Sequence, residues 1–361
     1  MSSPDTATAL TTTFTEVVVI GGGQAALAAG YYLRRAKLDF VILDDQPTPG
    51  GSWQDYWPSL HLFSPAQYSH LPGWPMPPWP HGFPPASHVV DYLTAYETKY
   101  DLPVRRPVRV DSVHRSSDGG YRVDTDSGSI EAAAIVNATG TWPRPFWPSY
   151  PGMRDFTGLQ LHAADYRSPK RFEGSRVAVV GGGNSAAQIL AEISTVTETL
   201  WFTTREPRLL PDDVDGRVLF DVASQRAHAL AHGGDDSGGV AGLGDIVMVP
   251  PVKEARDRGV LSSRRMFAAL VPDGVRDGQG TEKVDAIVWC TGFRPALRHL
   301  QPLHLPPGNE SPIALTGNHV QGEPTMVFLG YGDWTGTASA TLIGVGRTAR
   351  AAISELATAL S

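Results

Sequence analysis

Residues 17–30, VVVIGGGQAALAAG, and 177–189, VAVVGGGNSAAQI, each run from an apolar stretch through three glycines into an alanine-rich, helix-like segment. The spacing is Gly21-x-Gly23-x-x-Ala26 in the first copy and Gly181-x-Gly183-x-x-Ala186 in the second. In a strand-turn-helix setting the first glycine permits a tight turn and the second lets backbone N–H groups approach a pyrophosphate. The small third residue lets helix pack on strand. Gln24 and Ala25, and in the second copy Asn184 and Ser185, then open a helix whose amino terminus faces the phosphates. Simple helix capping is the alternative role for Asn184 and Ser185. One such turn also fits an ordinary strand-to-helix connection, whereas two in one chain predict two dinucleotide-binding units.

The residues that would read each ribose differ between the copies. Asp44 stands about 20 residues after Gly23, at the end of the next apolar strand, where a carboxylate accepts hydrogen bonds from a ribose diol; Asp45 competes for the role. At the equivalent place in the second copy, within LWFTTREPR (200–208), Thr203, Thr204 and Arg205 stand instead of a carboxylate. A guanidinium there suits a 2′-phosphate, and an exposed surface charge is the other reading of Arg205. Cys290 is the single cysteine of the chain. Dithiol redox chemistry and thiolate clusters for zinc or a soft metalloid are thereby excluded.

The elements that position these residues follow from pattern and punctuation. A strand at 16–20, a helix at 24–36 and a strand at 40–43 frame the first turn. PGGSW (49–53) brings further glycines, and an aromatic, proline-rich tract follows to 85; its prolines preclude a long helix, leaving an irregular covering or a lid. A helix is expected at 87–100 and strands around 104–113, 121–124 and 129–131. Two apolar strands end in Thr-Gly, at Thr139-Gly140 and at 291–292, and the interval between them holds the second glycine turn. The fold class expected is α/β, with two Rossmann-like dinucleotide-binding domains, the second inserted in the first. The expected boundaries are a tail at 1–15, a discontinuous first domain at 16–152 and 276–361, and an inserted domain at 153–275. Residues 233–245 read as a flexible glycine-rich loop, and a final helix is expected at about 337–356, after GYGDWTG.

Thirty basic against 37 acidic residues give a net charge of −7, with no basic footprint for nucleic acid or anionic membrane. The opening residues lack the cationic start and apolar core of a signal peptide, and no apolar run reaches membrane-span length. A soluble cytoplasmic protein is expected.

Taken together, these residues resemble the class B flavin-containing monooxygenases over nearly the whole chain, from 17 to 350. FTGLQLHAADY (156–166) matches F-x-G-x-x-x-H-x-x-x-Y through Phe156, Gly158, His162 and Tyr166. ATGTWPRPFWPSYPG (138–152) is similar to the linker before that motif in these enzymes and in Baeyer-Villiger monooxygenases. GGSWQDYW, SLHLFSPAQYSHLPGWPMP and ASATLIGVGRTAR look most like short bacterial flavin monooxygenases encoded with arsenic-resistance genes.

The resemblance implies FAD on the first turn, NADPH on the second, and O2 with a small-molecule substrate as reaction partners. A C4a-(hydro)peroxyflavin would oxygenate a soft nucleophile at sulfur, nitrogen or trivalent arsenic. Gly21, Gly23, Gln24, Ala25 and Asp44 would hold the FAD pyrophosphate and ribose; Gly51, Ser52 and Trp53 would approach the flavin, with Thr139 and Gly140 beside it. Backbone groups of Val110 would meet adenine, Asp333 a ribityl hydroxyl, and the amino terminus of the last helix the reduced ring. Gly181, Gly183, Asn184, Ser185, Thr204 and Arg205 would hold NADPH, and a homodimer is the oligomeric candidate. No metal is implied. His162 is either a catalytic group or a structural, hydrogen-bonded histidine, with the second role favoured. Phe63 or Ser64 stands where many family members have an asparagine near the reaction face. Other classes are a ketone-attacking Baeyer-Villiger enzyme, against which Tyr166 replaces the usual tryptophan, and an oxidase-like flavoprotein or redox sensor without oxygen transfer.

Overall fold

A computed structural model of the chain describes residues 13–231, 244–278 and 280–361. Most of the expected tail and nearly all of the glycine-rich stretch at 233–245 lie outside the described residues.

The first sheet starts with β1 (Thr13–Ile20), β2 (Phe40–Leu43) and β3 (Val104–Arg105), continues through the meander β4 (Val110–Arg115), β5 (Tyr121–Thr125) and β6 (Gly128–Asn137), and is completed much later in the chain. β1 lies at its centre, parallel to β2 on one side and β6 on the other. Its apolar run is continuous because both faces are covered. Val17 and Val19 pack into one cluster and Val18 and Ile20 into another, as the two-residue period of a strand requires. α1 (Gln24–Ala36) covers the first face and α2 (Ala86–Lys99) packs beside it.

The second sheet is wholly parallel in the order β10-β9-β8-β14-β7. Its strands are β7 (Leu159–His162), β8 (Val177–Val180), β9 (Thr199–Thr203), β10 (Ser263–Arg265) and, after the small antiparallel sheet β11 (Ala269–Val271), β12 (Gly274–Arg276) and β13 (Thr281–Lys283), β14 (Ala286–Trp289). β8 again divides its residues between two clusters, Val177 and Val179 against Ala178 and Val180. α3 (Asn184–Ile193), α4 (Gly216–Ala231) and α5 (Pro250–Asp257) belong to this unit. The chain then returns to the first sheet with β15 (Leu315–Thr316), β16 (His319–Val320) and β17 (Glu323–Phe328), the last parallel to β6, and ends in α6 (Leu342–Ala359) on α1. Both glycine turns therefore leave a central strand whose neighbours lie on opposite sides in chain order, the switch point where open α/β sheets bind ligands.

Several boundaries differ from expectation, and two helices are additional. β1 begins at Thr13 because β6 is long enough to pair with it as far as Ile130. The junction expected at 275/276 falls inside β12, and β14 pairs with both β7 and β8, so residues through Trp289 stay with the inserted sheet. The last helix starts at Leu342 rather than near 337, because Gly336 and Ala338 adopt φ of 117° and 62° and cannot continue a right-handed helix. α4 and α5 have no counterpart in the sequence reading; Pro250 opens α5, a position proline favours.

Candidate active site

A cavity of about 1130 Å³ opens at the carboxyl end of the first sheet. It runs from Val110 and Gln46, past the turn at Gly21–Gly23 and past Asp44 and Asp45, to Trp53, Trp142 and Phe293. Its size and elongated lining match a dinucleotide rather than a compact metabolite. The residues fit the group the motif implies. α1 begins with Gly23 as its cap and no side chain bonded to its first N–H groups, which leaves them for an anion. Gly51, at φ 53°, approaches so closely that a Cβ there would lie 2.8 Å from the Gly23 Cα, so only glycine keeps this passage open.

Asp44 and Asp45 both line the cavity, but they differ in setting. Asp45 is exposed, whereas Asp44 is 2% exposed. Its Oδ1 accepts from the Gln46 N–H (3.3 Å) and its Oδ2 from Arg106 Nε (3.1 Å). Burial raises its pKa, opposed by the Gln46 N–H and by Arg106. Arg106 is fixed in turn by two bonds to Glu97 on α2, at 2.7 and 2.9 Å. Sequence reasoning missed Arg106, and no local signal marks it. The arrangement orients Asp44 beside Gly22 and leaves it oxygen lone pairs for ribose hydroxyls.

At the other end, three lining segments are tied together. Trp53 Nε1 donates to Gln24 Oε1 (2.9 Å), and Gln24 Nε2 donates to the Ala340 carbonyl (2.8 Å), joining the PGGSW turn, the start of α1 and the turn before α6. Trp53, Tyr56, Trp142 and Phe293 form an aromatic wall, with successive ring centroids 5.4, 4.4 and 4.9 Å apart. Burial pushes the Tyr56 phenol up to about 12, so it stays neutral near pH 7. Beneath lies a buried relay. His299 Nε2 donates to Asn137 Oδ1 (2.8 Å) and Asn137 Nδ2 to the Tyr331 hydroxyl (2.7 Å). Thr139 Oγ1 donates to the Ala296 carbonyl, so Tyr331 O–H donates to Thr139. Thr139, Gly140, Ala296 and His299 all line the cavity. Ser52, Gly51, Ala25 and Val110 line it too.

The second turn is more open. Gly183 meets nothing within 4 Å on its free side, and α3 likewise starts without a side-chain cap. Asn184 does not cap the helix; its Oδ1 accepts from the Val247 N–H (2.8 Å), and Ser185 is exposed at the helix start. Gly181 abuts the Cys290 carbonyl, three residues before Phe293 in the wall of the first cavity. Thr204 and Arg205 are exposed beyond β9. Arg205 is held by Asp245 through two bonds of 2.7 Å, and that pairing lowers the Asp245 pKa. A guanidinium has five N–H donors, so this clamp leaves three for an incoming phosphate.

Two sequence candidates, Asp333 and Ser64, lie away from the cavity lining, and His162 sits in a structural setting. Asp333 is exposed in the turn Gly332–Thr335 and does not line the cavity, to which this region contributes Gly330 and Ala340 instead. Ser64 lies where the loop meets α4; the Gly216 N–H donates to the Phe63 carbonyl (2.7 Å), and a Cβ on Gly216 would collide with Ser64 Oγ. His162 is fully buried with both ring nitrogens engaged. Nε2 donates to the Gly292 carbonyl (3.1 Å) and Nδ1 accepts from the Ala164 N–H (3.1 Å), so it braces the linker and has no free nitrogen for proton transfer. Burial lowers its pKa, which keeps it neutral. Burial likewise pushes the Cys290 thiol well above its usual range.

Comparison with known proteins agrees with this geometry. The family model for pyridine nucleotide-disulphide oxidoreductases matches residues 18–225. An uncharacterized oxidoreductase CzcO of Bacillus subtilis is 32% identical over 282 residues, 77% of this chain and 81% of that protein. A flavin-containing monooxygenase from Stenotrophomonas maltophilia superposes with a TM-score of 0.88 at 48% identity, over 97% of this chain and 100% of that one. A Baeyer-Villiger monooxygenase of Streptomyces coelicolor is 32% identical over 209 residues, covering 56% of this chain and 40% of that protein.

Proposed function

The chain belongs to the flavin-containing monooxygenases, within the pyridine nucleotide-disulphide oxidoreductase family, and from that premise we propose that it oxygenates a soft nucleophile: a sulfur, nitrogen or trivalent arsenic centre. It is a flavin-dependent oxidoreductase that uses FAD and NADPH. The observation that carries the reading is the pairing of two switch-point glycine turns, the second abutting Cys290 close to the aromatic end of the first cavity.

Bound FAD would supply hydride acceptance and O2 activation, which no side chain offers. This chain's residues bind and orient. The N–H groups at the start of α1 hold the pyrophosphate, and Asp44, braced by Arg106, holds the ribose. Gln24 and Trp53 fix the loop at the flavin end, and the wall of Trp53, Tyr56, Trp142 and Phe293 keeps bulk water from the reacting centre. The turn before α3 receives NADPH, with the remaining donors of Arg205 directed at the 2′-phosphate. An arsenical would be taken without thiolate chelation, since Cys290 is alone and its thiol protonated.

Anaerobic stopped-flow reduction by NADPH, followed by isotopically labelled O2 in the presence of thioether, amine and arsenite substrates, tests the proposal. One labelled oxygen atom in a product, with one NADPH consumed, is expected. Hydrogen peroxide as the sole product with every nucleophile would leave an oxidase and refute oxygen transfer.

A further inference from the structure

Glu192, on α3 of the inserted unit, gathers three hydrogen bonds from outside its helix. Its Oε1 accepts from Trp57 Nε1 (3.0 Å) and Ser59 Oγ (2.7 Å), both on the loop that follows the PGGSW turn, and its Oε2 accepts from the Tyr166 hydroxyl (2.9 Å). Trp57 and Tyr166 are almost wholly buried, and their rings meet edge to face at 5.8 Å. No Lys or Arg pairs with Glu192 among the described residues, so neutral donors alone satisfy this carboxylate.

The position of this cluster matters more than its strength. The two nucleotide units are joined by two chain crossings, which are themselves bonded together: Thr139 to Ala296, and the Phe146 N–H to the Gly292 carbonyl. Two adjacent crossings act as a hinge. A contact away from them opposes rotation about it. α3 is a rigid lever whose first residue, Asn184, adjoins the second glycine turn, and Glu192 lies about 12 Å further along the axis. At the loop end, Trp57 is one residue past Tyr56 in the cavity wall.

We propose that Glu192 is a positioning residue: oriented by Tyr166 of its own unit, it clasps Trp57 and Ser59 on the loop from the first unit, and so sets the angle of the second nucleotide unit and aligns the pyridine nucleotide with the flavin. The inference rests on the two-nucleotide reading above. It also gives the last residue of the F-x-G-x-x-x-H-x-x-x-Y pattern a physical task, since the hydroxyl at 166 donates to Glu192.

Glu192→Leu keeps a similar size but removes both acceptor atoms, so all three bonds are lost. In the FAD-loaded full chain, the limiting rate of flavin reduction at saturating NADPH should fall at least about tenfold, because a displacement near 1 Å can cost about a hundredfold. The NADPH concentration for half-saturation should stay within about twofold, since the binding residues are untouched. With the flavin reduced and oxygen excluded, NADP+ should give a weaker long-wavelength band of nicotinamide stacked on reduced flavin than in wild type. Equal limiting rates and equal bands in variant and wild type would overturn the proposal, as would a loss confined to half-saturation. If Glu192→Leu fails to retain FAD, Tyr166→Phe and Ser59→Ala, each leaving two bonds, carry the test, and unchanged rates in both overturn it. A wild-type protein that NADPH cannot reduce would instead refute the functional reading, and this proposal with it.

Discussion

His299 should couple acid to loss of the flavin cavity. Its ring is 8% exposed, its Nε2–H is committed to Asn137, and burial lowers its pKa from the ordinary 6.5 to about 4. In the unfolded chain it would titrate near 6.5. Between these values the unfolded state binds more protons, so stability falls as pH falls. The contribution of the neutral ring is therefore complete above about pH 6.5, declines through the window below it, and is fully lost near pH 4. A displacement of this size corresponds to about 3 kcal/mol. His299→Gln removes the titration while keeping an amide N–H that can reach Asn137, so other acidic groups cancel when the two proteins are compared. Urea unfolding of both at steps from pH 7.5 to 4, with flavin release followed in parallel, should show wild type losing about 3 kcal/mol more than the variant, mostly below pH 6. A difference that stays flat across this range would show that His299 is not held neutral, and the relay through Asn137, Tyr331 and Thr139 would need another proton arrangement.

Other residues make sharper tests of the nucleotide sites. Arg205→Ala should raise the Michaelis constant for NADPH by about 10- to 100-fold, as expected for losing a charged hydrogen bond worth 1.5–3 kcal/mol, and leave that for NADH nearly unchanged; equal effects on both would show that Arg205 does not read the 2′-phosphate. Gly51→Ala places a Cβ 2.8 Å from the Gly23 Cα at a φ of 53°, so the purified variant should lose most of its FAD, whereas full flavin occupancy would contradict the close-passage argument. Cys290→Ser should leave NADPH-driven flavin reduction nearly intact at a stability cost of about 1–3 kcal/mol, measured by thermal unfolding, and loss of reduction in a folded, FAD-loaded variant would restore thiol chemistry to the mechanism.

What the sequence alone determined about this protein is local. Val17–Ile20 and Val177–Val180 are legible as central strands because burial on both faces leaves continuous apolar runs, and the turns are legible because the backbone there requires glycine. The boundaries of α1 and β2 follow from the same short-range pattern. Asp44 was placed by spacing along the chain, yet only the fold distinguishes it from Asp45, by burying it against Arg106, 62 residues away. Asp333 shows the converse. The resemblance implied a contact with a ribityl hydroxyl, but Asp333 is exposed on a short turn. The clasp at Glu192, the pair Arg205–Asp245 and the bond from His299 to Asn137 join residues 135, 40 and 162 positions apart in sequence. No period or motif records such pairs, because they arise where separately folded segments meet, and their geometry is set by how the two sheets and their linkers pack rather than by any neighbour along the chain.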